Sequence, residues 1–289
     1  MKVCVLGAGG LLGHMLIRVL GESFDVHGTT RETMSIASPL AKFLHQDKWI
    51  DNIDVAQVDS LKKIFDVEQF DLVINCIGLI KQRNTNVTEK QMMQINAEFP
   101  HQLAKSANDR GVRLLHISTD CVFSGKKGDY CESDDADPVD IYGQSKLKGE
   151  INDSKNLTLR TSHVGRELTV RKSFIEWVLS QRGKQINGYS HAIYSGLTTY
   201  ELSKVIANLL QRDSLLAGLF HVSSQPISKL EIINKLNALL DLQIKVTPDS
   251  TVKIDRSLNS QKFQQATGFT INNWDKMLSD FCKDQLIYG

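Results

Sequence analysis

Tyr142 and Lys146 stand four residues apart in the run Tyr142-Gly143-Gln144-Ser145-Lys146. On a helix that spacing puts the phenol and the ammonium on one face. A neighbouring ammonium favours the phenolate, so the tyrosine gives or takes a proton nearer neutral pH than a free phenol, whose pKa is about 10. Taken alone, the pair reads as a surface contact of a helix. Upstream, His116-Ile117-Ser118-Thr119-Asp120 places two hydroxyls just past the carboxyl end of an apolar run, the end at which open α/β sheets hold ligands. Thr119 there can donate to a substrate oxygen and stabilise developing alkoxide charge. Strand alternation turns Ser118 to the other face, where packing is its natural role.

A third group lies near the N-terminus. Gly7-Ala8-Gly9-Gly10-Leu11-Leu12-Gly13 follows a short apolar run and opens an amphipathic one. Glycines here permit a tight turn, let the backbone approach a pyrophosphate and allow close helix–strand packing, while the helix N-terminus offers free N–H groups. A purely structural turn is the plainer alternative. At the end of the second apolar run, where an acid would bond a ribose 2′-hydroxyl, stand Thr29-Thr30-Arg31. An arginine suits a 2′-phosphate, which favours NADPH; as a solvated loop charge it would leave NADH open. Asn75-Cys76-Ile77-Gly78 ends a further run and would lie along the same cofactor.

These groups need strands to hold them. Apolar runs at Lys2–Gly7, Phe24–Thr29, Trp49–Val55, Phe70–Cys76, Arg113–Ser118 and Asn156–Arg160 alternate with helical patterns at Leu11–Leu20, Leu61–Asp66, Glu89–Ala107 and Tyr142–Glu150. Strands joined through helices require right-handed crossovers, which give an α/β fold: a Rossmann-type, doubly wound parallel sheet covered on both faces. After Thr161 the pattern loosens, with helices expected at Phe174–Gln181, Thr199–Gln211 and Ser228–Leu240 and a strand at Leu219–Ser223. No Pro/Gly/Ser linker separates the parts. The expected division is therefore residues 1–160 as the dinucleotide-binding domain, with returning segments at about 197–224, and 161–289 as a smaller, interwoven substrate-binding domain.

Lys+Arg of 34 against Asp+Glu of 33 leaves no basic field for a nucleic acid polymer, so an anionic ligand must be met by local donors. No run of about 18 apolar residues is present to cross a membrane, and the short N-terminal one is no signal peptide. Cys4, Cys76, Cys121, Cys131 and Cys282 are scattered, and the eight histidines lack metal-ligand spacing. Free thiols, no metal and a cytoplasmic location are the expectation.

The order glycine turn, Ser/Thr, Tyr-x-x-x-Lys is the signature of the extended short-chain dehydrogenase/reductase superfamily, and the spacing Gly7, Gly10, Gly13 resembles it too. Within it, Ser118-Thr119-Asp120-Cys121-Val122-Phe123-Ser124-Gly125, the acidic stretch before Pro138, Tyr142 through Glu150, Leu159-Arg160-Thr161-Ser162 and Asp255-Arg256-Ser257-Leu258-Asn259 follow in the order seen in the dTDP-4-dehydrorhamnose reductase family. The resemblance spans essentially the whole chain and is most specific in its first 165 or so residues.

It implies NADPH-dependent reduction of the 4-keto group of a nucleotide-activated 6-deoxy sugar, for cell-surface polysaccharide precursors. Thr119, Tyr142 and Lys146 become the catalytic trio: Tyr142 protonates the alkoxide, Thr119 holds that oxygen, and Lys146 lowers the tyrosine and bonds the nicotinamide ribose. Gly7, Gly10, Leu11, Leu12 and Gly13 would hold the pyrophosphate, Arg31 the adenosine ribose, Asp54 and Val55 the adenine, and Cys76, Ile77 and Gly78 the nicotinamide half. Asn96 matches the superfamily's helix asparagine, which orders the active-site helix or a proton relay; a buried amide satisfied by backbone is the alternative. Arg256 would face the nucleotide.

Two positions depart from the rhamnose pattern. Cys121 stands where a tyrosine is usual and His163 where a tryptophan is usual, both lining the sugar pocket. The smaller thiol and the imidazole leave room, so a UDP-linked 2-acetamido-2,6-dideoxy-4-ketose stands beside dTDP-4-dehydrorhamnose as substrate. Tyr189, His191 and Tyr194 are further contacts or, more simply, structural. An epimerase with bound NAD, a non-catalytic subunit like that of methionine adenosyltransferase, and a homodimer stay open.

Overall fold

The computed structural model describes residues 1–283 apart from 36, 58, 81–86, 170 and 213–215. Strand and helix alternate from the start: β1 (Lys2–Leu6), α1 (Gly13–Leu20), β2 (Asp25–Thr29), β3 (Trp49–Ile50), α2 (Ser60–Val67), β4 (Leu72–Asn75), α3 (Glu89–Met93), α4 (Phe99–Asn108), β5 (Arg113–Thr119), α5 (Ile141–Lys148) and β6 (Leu157–Thr161). The later segment brings β7 (His163–Val164), α6 (Phe174–Leu179), β8 (Gln185–Tyr194), β9 (Leu197–Thr198), α7 (Thr199–Leu210), β10 (Gly218–His221), β11 (Ile227–Ser228), α8 (Lys229–Leu240), β12 (Lys245–Asp255), α9 (Gln261–Thr267) and α10 (Trp274–Lys283).

Seven strands form one parallel sheet in the order β10-β6-β5-β4-β1-β2-β3. The doubly wound α/β fold read from the sequence is the one observed. Alternate residues of β1 feed opposite faces: Val3 and Val5 join a core with α1 and α7, and Cys4 and Leu6 join a second with α2 and α4. A strand buried on both sides must be apolar throughout, which is why Lys2–Leu6 reads as a continuous run. The chain runs outward from β1 to β2 and β3 on one side, then crosses back to β4 on the other. That reversal opens a crevice at the carboxyl ends of β1 and β4, where sheets of this kind hold ligands.

Several details differ from expectation. The run at Trp49–Val55 holds the short strand expected there, of two residues, and Ile53 and Val55 are buried in the loop after it. The single helix expected over Glu89–Ala107 is interrupted by a π-turn at Gln94–Glu98, after which Pro100 occupies the first turn of α4, where its missing N–H costs little. The later segment holds a three-stranded sheet, β11-β8-β12, absent from the sequence reading. β10 returns to pair with β6 at the edge of the large sheet, and β7 pairs with β9.

Candidate active site

A cavity of about 960 Å³ opens over the carboxyl ends of the central strands. Its first wall is backbone. Gly7, directly after β1, has a φ of 77°, a left-handed conformation that glycine adopts without strain. A Cβ on Gly13 would stand 2.1 Å from the Gly7 carbonyl oxygen, so only glycine lets α1 start against the turn. The Gly10 N–H donates to Gly7 O at 2.9 Å and the Gly7 N–H to Thr29 Oγ1 at 3.2 Å, closing the loop. No side chain caps the start of α1 and no acid lies in its first turn; the His14 N–H donates to Gly10 O, and the dipole of the helix start would favour an anion. Gly7, Gly10, Leu11 and Leu12 line the cavity; Gly13 lies behind them as the packing contact.

Beyond β2, Thr29, Thr30 and Arg31 continue this wall. Thr30 Oγ1 donates to Asp51 Oδ1 at 2.9 Å, whereas exposed Arg31 has no hydrogen bond or ion pair among the described residues. Val55 lines the cavity. Asp54 does not: its carboxylate accepts the Ala56 N–H at 3.1 Å within its own loop.

β4 delivers Cys76, Ile77 and Gly78 to the cavity. Asn75, fully buried, accepts the Ile77 N–H at 3.0 Å and meets His116 Nδ1 at 3.2 Å. Asn96, in the π-turn, is a buried amide met by backbone and also reaches the helix α5. Its Oδ1 accepts the Leu79 N–H at 2.8 Å, and its Nδ2 donates to Leu79 O and to Ser145 Oγ on α5, both at 3.0 Å. It joins the cofactor-side loop to the helix carrying Tyr142 and Lys146.

The three candidate catalytic groups converge on the cavity. β5 ends on Thr119, whose Oγ1 donates to Asp120 Oδ1 at 3.1 Å and accepts the Cys121 N–H at 3.2 Å. Ser118 Oγ donates to Glu150 Oε1 at 2.6 Å, although the residue also lines the cavity. Asp140 starts α5 by accepting the Gly143 N–H at 2.8 Å, which sets Tyr142 in the first turn. A Cβ on Gly143 would lie 2.2 Å from Cys121 O, and one on Gly149 1.9 Å from Asn96 O. The helix is thus seated on backbone at both ends.

The electrostatics differ from the expectation that Lys146 lowers Tyr142. Burial raises the Tyr142 phenol above its ordinary value, with Cys121 adding to the rise and the neighbouring Thr119 hydroxyl opposing it. Lys146 donates to Ile117 O at 2.8 Å and stands 3.5 Å from His116 Nε2. Burial lowers its ammonium to about 8, against the opposing pull of Glu150 and Cys76. His116, pushed down by burial and by Lys146, is neutral beside it. Burial thus disfavours the phenolate of Tyr142.

The far wall comes from later segments. Arg256, just past β12, donates through Nε to Phe123 O at 2.9 Å and reaches Cys121 Sγ at 3.7 Å. Cys121 and His163 both line the cavity. Tyr189 and His191 are exposed on β8, and Tyr194 packs on Trp274 with ring centroids 5.6 Å apart; none of the three lines it. Sequence reasoning passed over Lys172, Ser173 and Phe174, which do, and weighed Asp120 only as part of a motif. Lys172 and its neighbours carry no local signal, since only the path of the chain after β7 brings them there. Among the described residues no group of His, Cys, Asp and Glu is arranged to hold a metal, and no helix is long and apolar enough to cross a membrane.

The chain is similar to several known proteins. A probable low-salt glycan biosynthesis reductase of Haloferax volcanii is 29% identical over 78% of this chain and 75% of its own length. A dTDP-4-dehydrorhamnose reductase of Aggregatibacter actinomycetemcomitans is 24% identical over 96% and 97%. Among solved structures, a dTDP-4-dehydrorhamnose reductase of Bacillus anthracis in complex with NADP superposes with a TM-score of 0.79 at 23% identity, covering 97% of this chain and 98% of that one. The family model described as the RmlD substrate binding domain matches residues 1–287, and with nearly every residue inside that match the chain belongs to this family.

Proposed function

We propose that the protein is an NADPH-dependent reductase of the 4-keto group of a nucleotide-activated 6-deoxy sugar. The observation that carries this is the placing of Thr119, Tyr142 and Lys146 between the glycine turn and Arg256 in one cavity. A dinucleotide fits the first wall: side chains are excluded at Gly13, the start of α1 is uncapped, and Arg31 faces the cavity with no protein partner among the described residues. Bound there, NADPH supplies a hydride. The chain's own work is to orient the ketone and manage one proton. Thr119 and Tyr142 hold the carbonyl oxygen, and Tyr142, protonated because it is buried, gives its proton as negative charge develops. Lys146 would bond the nicotinamide ribose. Residues from 161 onward, with Cys121, would shape the sugar site. The reductases among the relatives support this reading, as does the NADP complex of the Bacillus anthracis enzyme.

Cys121 and His163 admit either dTDP-4-dehydrorhamnose or a UDP-linked 2-acetamido-2,6-dideoxy-4-ketose. NADPH oxidation followed with both substrates side by side tests the proposal and chooses between them. Oxidation of NADPH with neither, or NAD that stays bound through purification, rejects the reductase reading.

A further inference from the structure

Arg31 faces the cavity from a turn, residues 30–34, whose three central residues are exposed. A long cationic side chain on such a turn binds an anion weakly unless the backbone beneath it is fixed beforehand, because the cost of ordering the turn counts against binding. Here the backbone is fixed from below. The Thr30 N–H donates to Ile50 O at 3.1 Å and the Ile53 N–H to Thr30 O at 2.9 Å, which ties the start of the turn to the segment around Asp51. Asp51 itself spans the turn. Its Oδ1 accepts from Thr30 Oγ1 and its Oδ2 from the Met34 N–H, both at 2.9 Å. The same Thr30 hydroxyl lies 2.7 Å from Glu32 O, on the far side of Arg31. Next along the chain, Asn52 Nδ2 donates to Thr33 Oγ1 at 3.2 Å, and Met34 turns back to pack on the core.

Asp51 is an acid close to the end of β2, the region in which an NADH site uses an acid against the ribose 2′-hydroxyl. Both of its oxygens are engaged by the turn, and it does not line the cavity. Resting on the NADPH part of the proposed function, we infer that Asp51 is a positioning residue for cofactor choice, holding the two ends of the 30–34 turn so that Arg31 is presented to the 2′-phosphate of NADPH. The acid thereby serves the opposite preference from the one its type suggests. It acts through Arg31 and does not itself touch the cofactor.

Charge and positioning predict opposite signs. As a bare negative charge Asp51 repels a phosphate, so its removal would tighten NADPH. As a brace, its removal loosens the turn and weakens NADPH, while NADH, which lacks the phosphate, is little affected. Hydrogen-bond inventory separates the two further. In Asp51→Asn the amide oxygen can accept the Met34 N–H, and the amide nitrogen can donate to Thr30 Oγ1 once that hydroxyl gives its proton wholly to Glu32 O. The brace survives there without the charge. Asp51→Ala removes both.

Fluorescence titration with NADPH and NADH, and calorimetry with adenosine 2′,5′-bisphosphate and AMP, read the site without any sugar. Asp51→Ala should weaken NADPH and the bisphosphate about tenfold and leave NADH and AMP within about twofold, whereas Asp51→Asn should keep NADPH within about threefold of wild type. Combined with Arg31→Ala, Asp51→Ala should add no more than about a twofold loss, since the brace has no guanidinium left to present. Thr30→Val, which removes the hydroxyl but leaves Asp51 in place, should show the same selective loss and serves if Asp51→Ala does not fold. Tighter NADPH binding in Asp51→Ala, equal losses for the two cofactors, an Asp51→Asn as weak as Asp51→Ala, or additive losses with Arg31→Ala each overturn the inference. A wild type that binds the bisphosphate and AMP alike rejects the NADPH reading and the inference with it. A wild type whose preference is lost in Arg31→Ala but kept in Asp51→Ala and Thr30→Val overturns the inference alone.

Discussion

The two walls of the cavity are made of different material. The wall at Gly7–Gly13 and Cys76–Gly78 is backbone: its shape comes from glycine conformations, strand ends and the open start of α1. The wall at Cys121, His163, Lys172 and Arg256 is side chain, carried on segments that meet only after the whole chain has folded. A backbone wall suits the part of a ligand that never varies, such as a pyrophosphate. A side-chain wall can be re-cut by single substitutions without disturbing the sheet, so under the proposed function selectivity for the sugar would belong there.

Five outcomes would break or sharpen this contrast. Where the walls meet, Tyr142→Phe should lower kcat by about 10²–10⁴ while NADPH affinity, measured by fluorescence titration, changes little; near-normal turnover removes Tyr142 from its role. Under the far wall, burial and Arg160 hold His221 on β10 down at about 4. Because the unfolded imidazole takes a proton near pH 6.5 and the folded one does not, stability is lost as pH falls from about 6.5 to 4. The loss is on the order of 3 kcal/mol, and urea titrations of His221→Gln should show a flatter pH dependence. In the backbone wall, Gly13→Ala forces a methyl onto the Gly7 carbonyl and should cost about 1–3 kcal/mol in stability, together with most NADPH binding. A stable, NADPH-binding variant would contradict the backbone picture. Arg31→Ala should weaken NADPH roughly 10–100-fold and NADH hardly at all, and equal losses would discard the 2′-phosphate contact. The smallest effect is expected from Cys121→Tyr with His163→Trp. That pair should move the kcat/KM preference toward dTDP-4-dehydrorhamnose by no more than about tenfold, with NADPH binding untouched.

The same contrast explains what the sequence made legible. β1, the glycine turn and α1 are contiguous, and each glycine there answers a local need, so the pattern is local. Tyr142 and Lys146 were visible because helical spacing alone aligns them. β8 and β12 were not, since their residues are largely exposed and mixed with Asn187, Gly188, Pro248 and Asp249, and their partners lie about sixty positions away. Nothing short-range marks such strands. The π-turn at Asn96 is hidden for a different reason: no residue type marks an i to i+5 turn, and one wide turn is too short to stand out within a helical pattern. The effect of burial on Tyr142 is not legible in the sequence, because charge partners follow from spacing whereas burial depends on the assembled core.

Gly143 and Gly149 seat the catalytic helix on two carbonyl oxygens, one from the Cys121 loop and one from the Asn96 turn. With no side chain between them to give way, displacement of either loop moves the helix. If the proposed function holds, a sugar too bulky for the Cys121 side would push Tyr142 off its line to the ketone while its nucleotide stayed bound. Such misfit substrates should behave as tight, slow ligands, and screening this enzyme by affinity alone would rank them among the best.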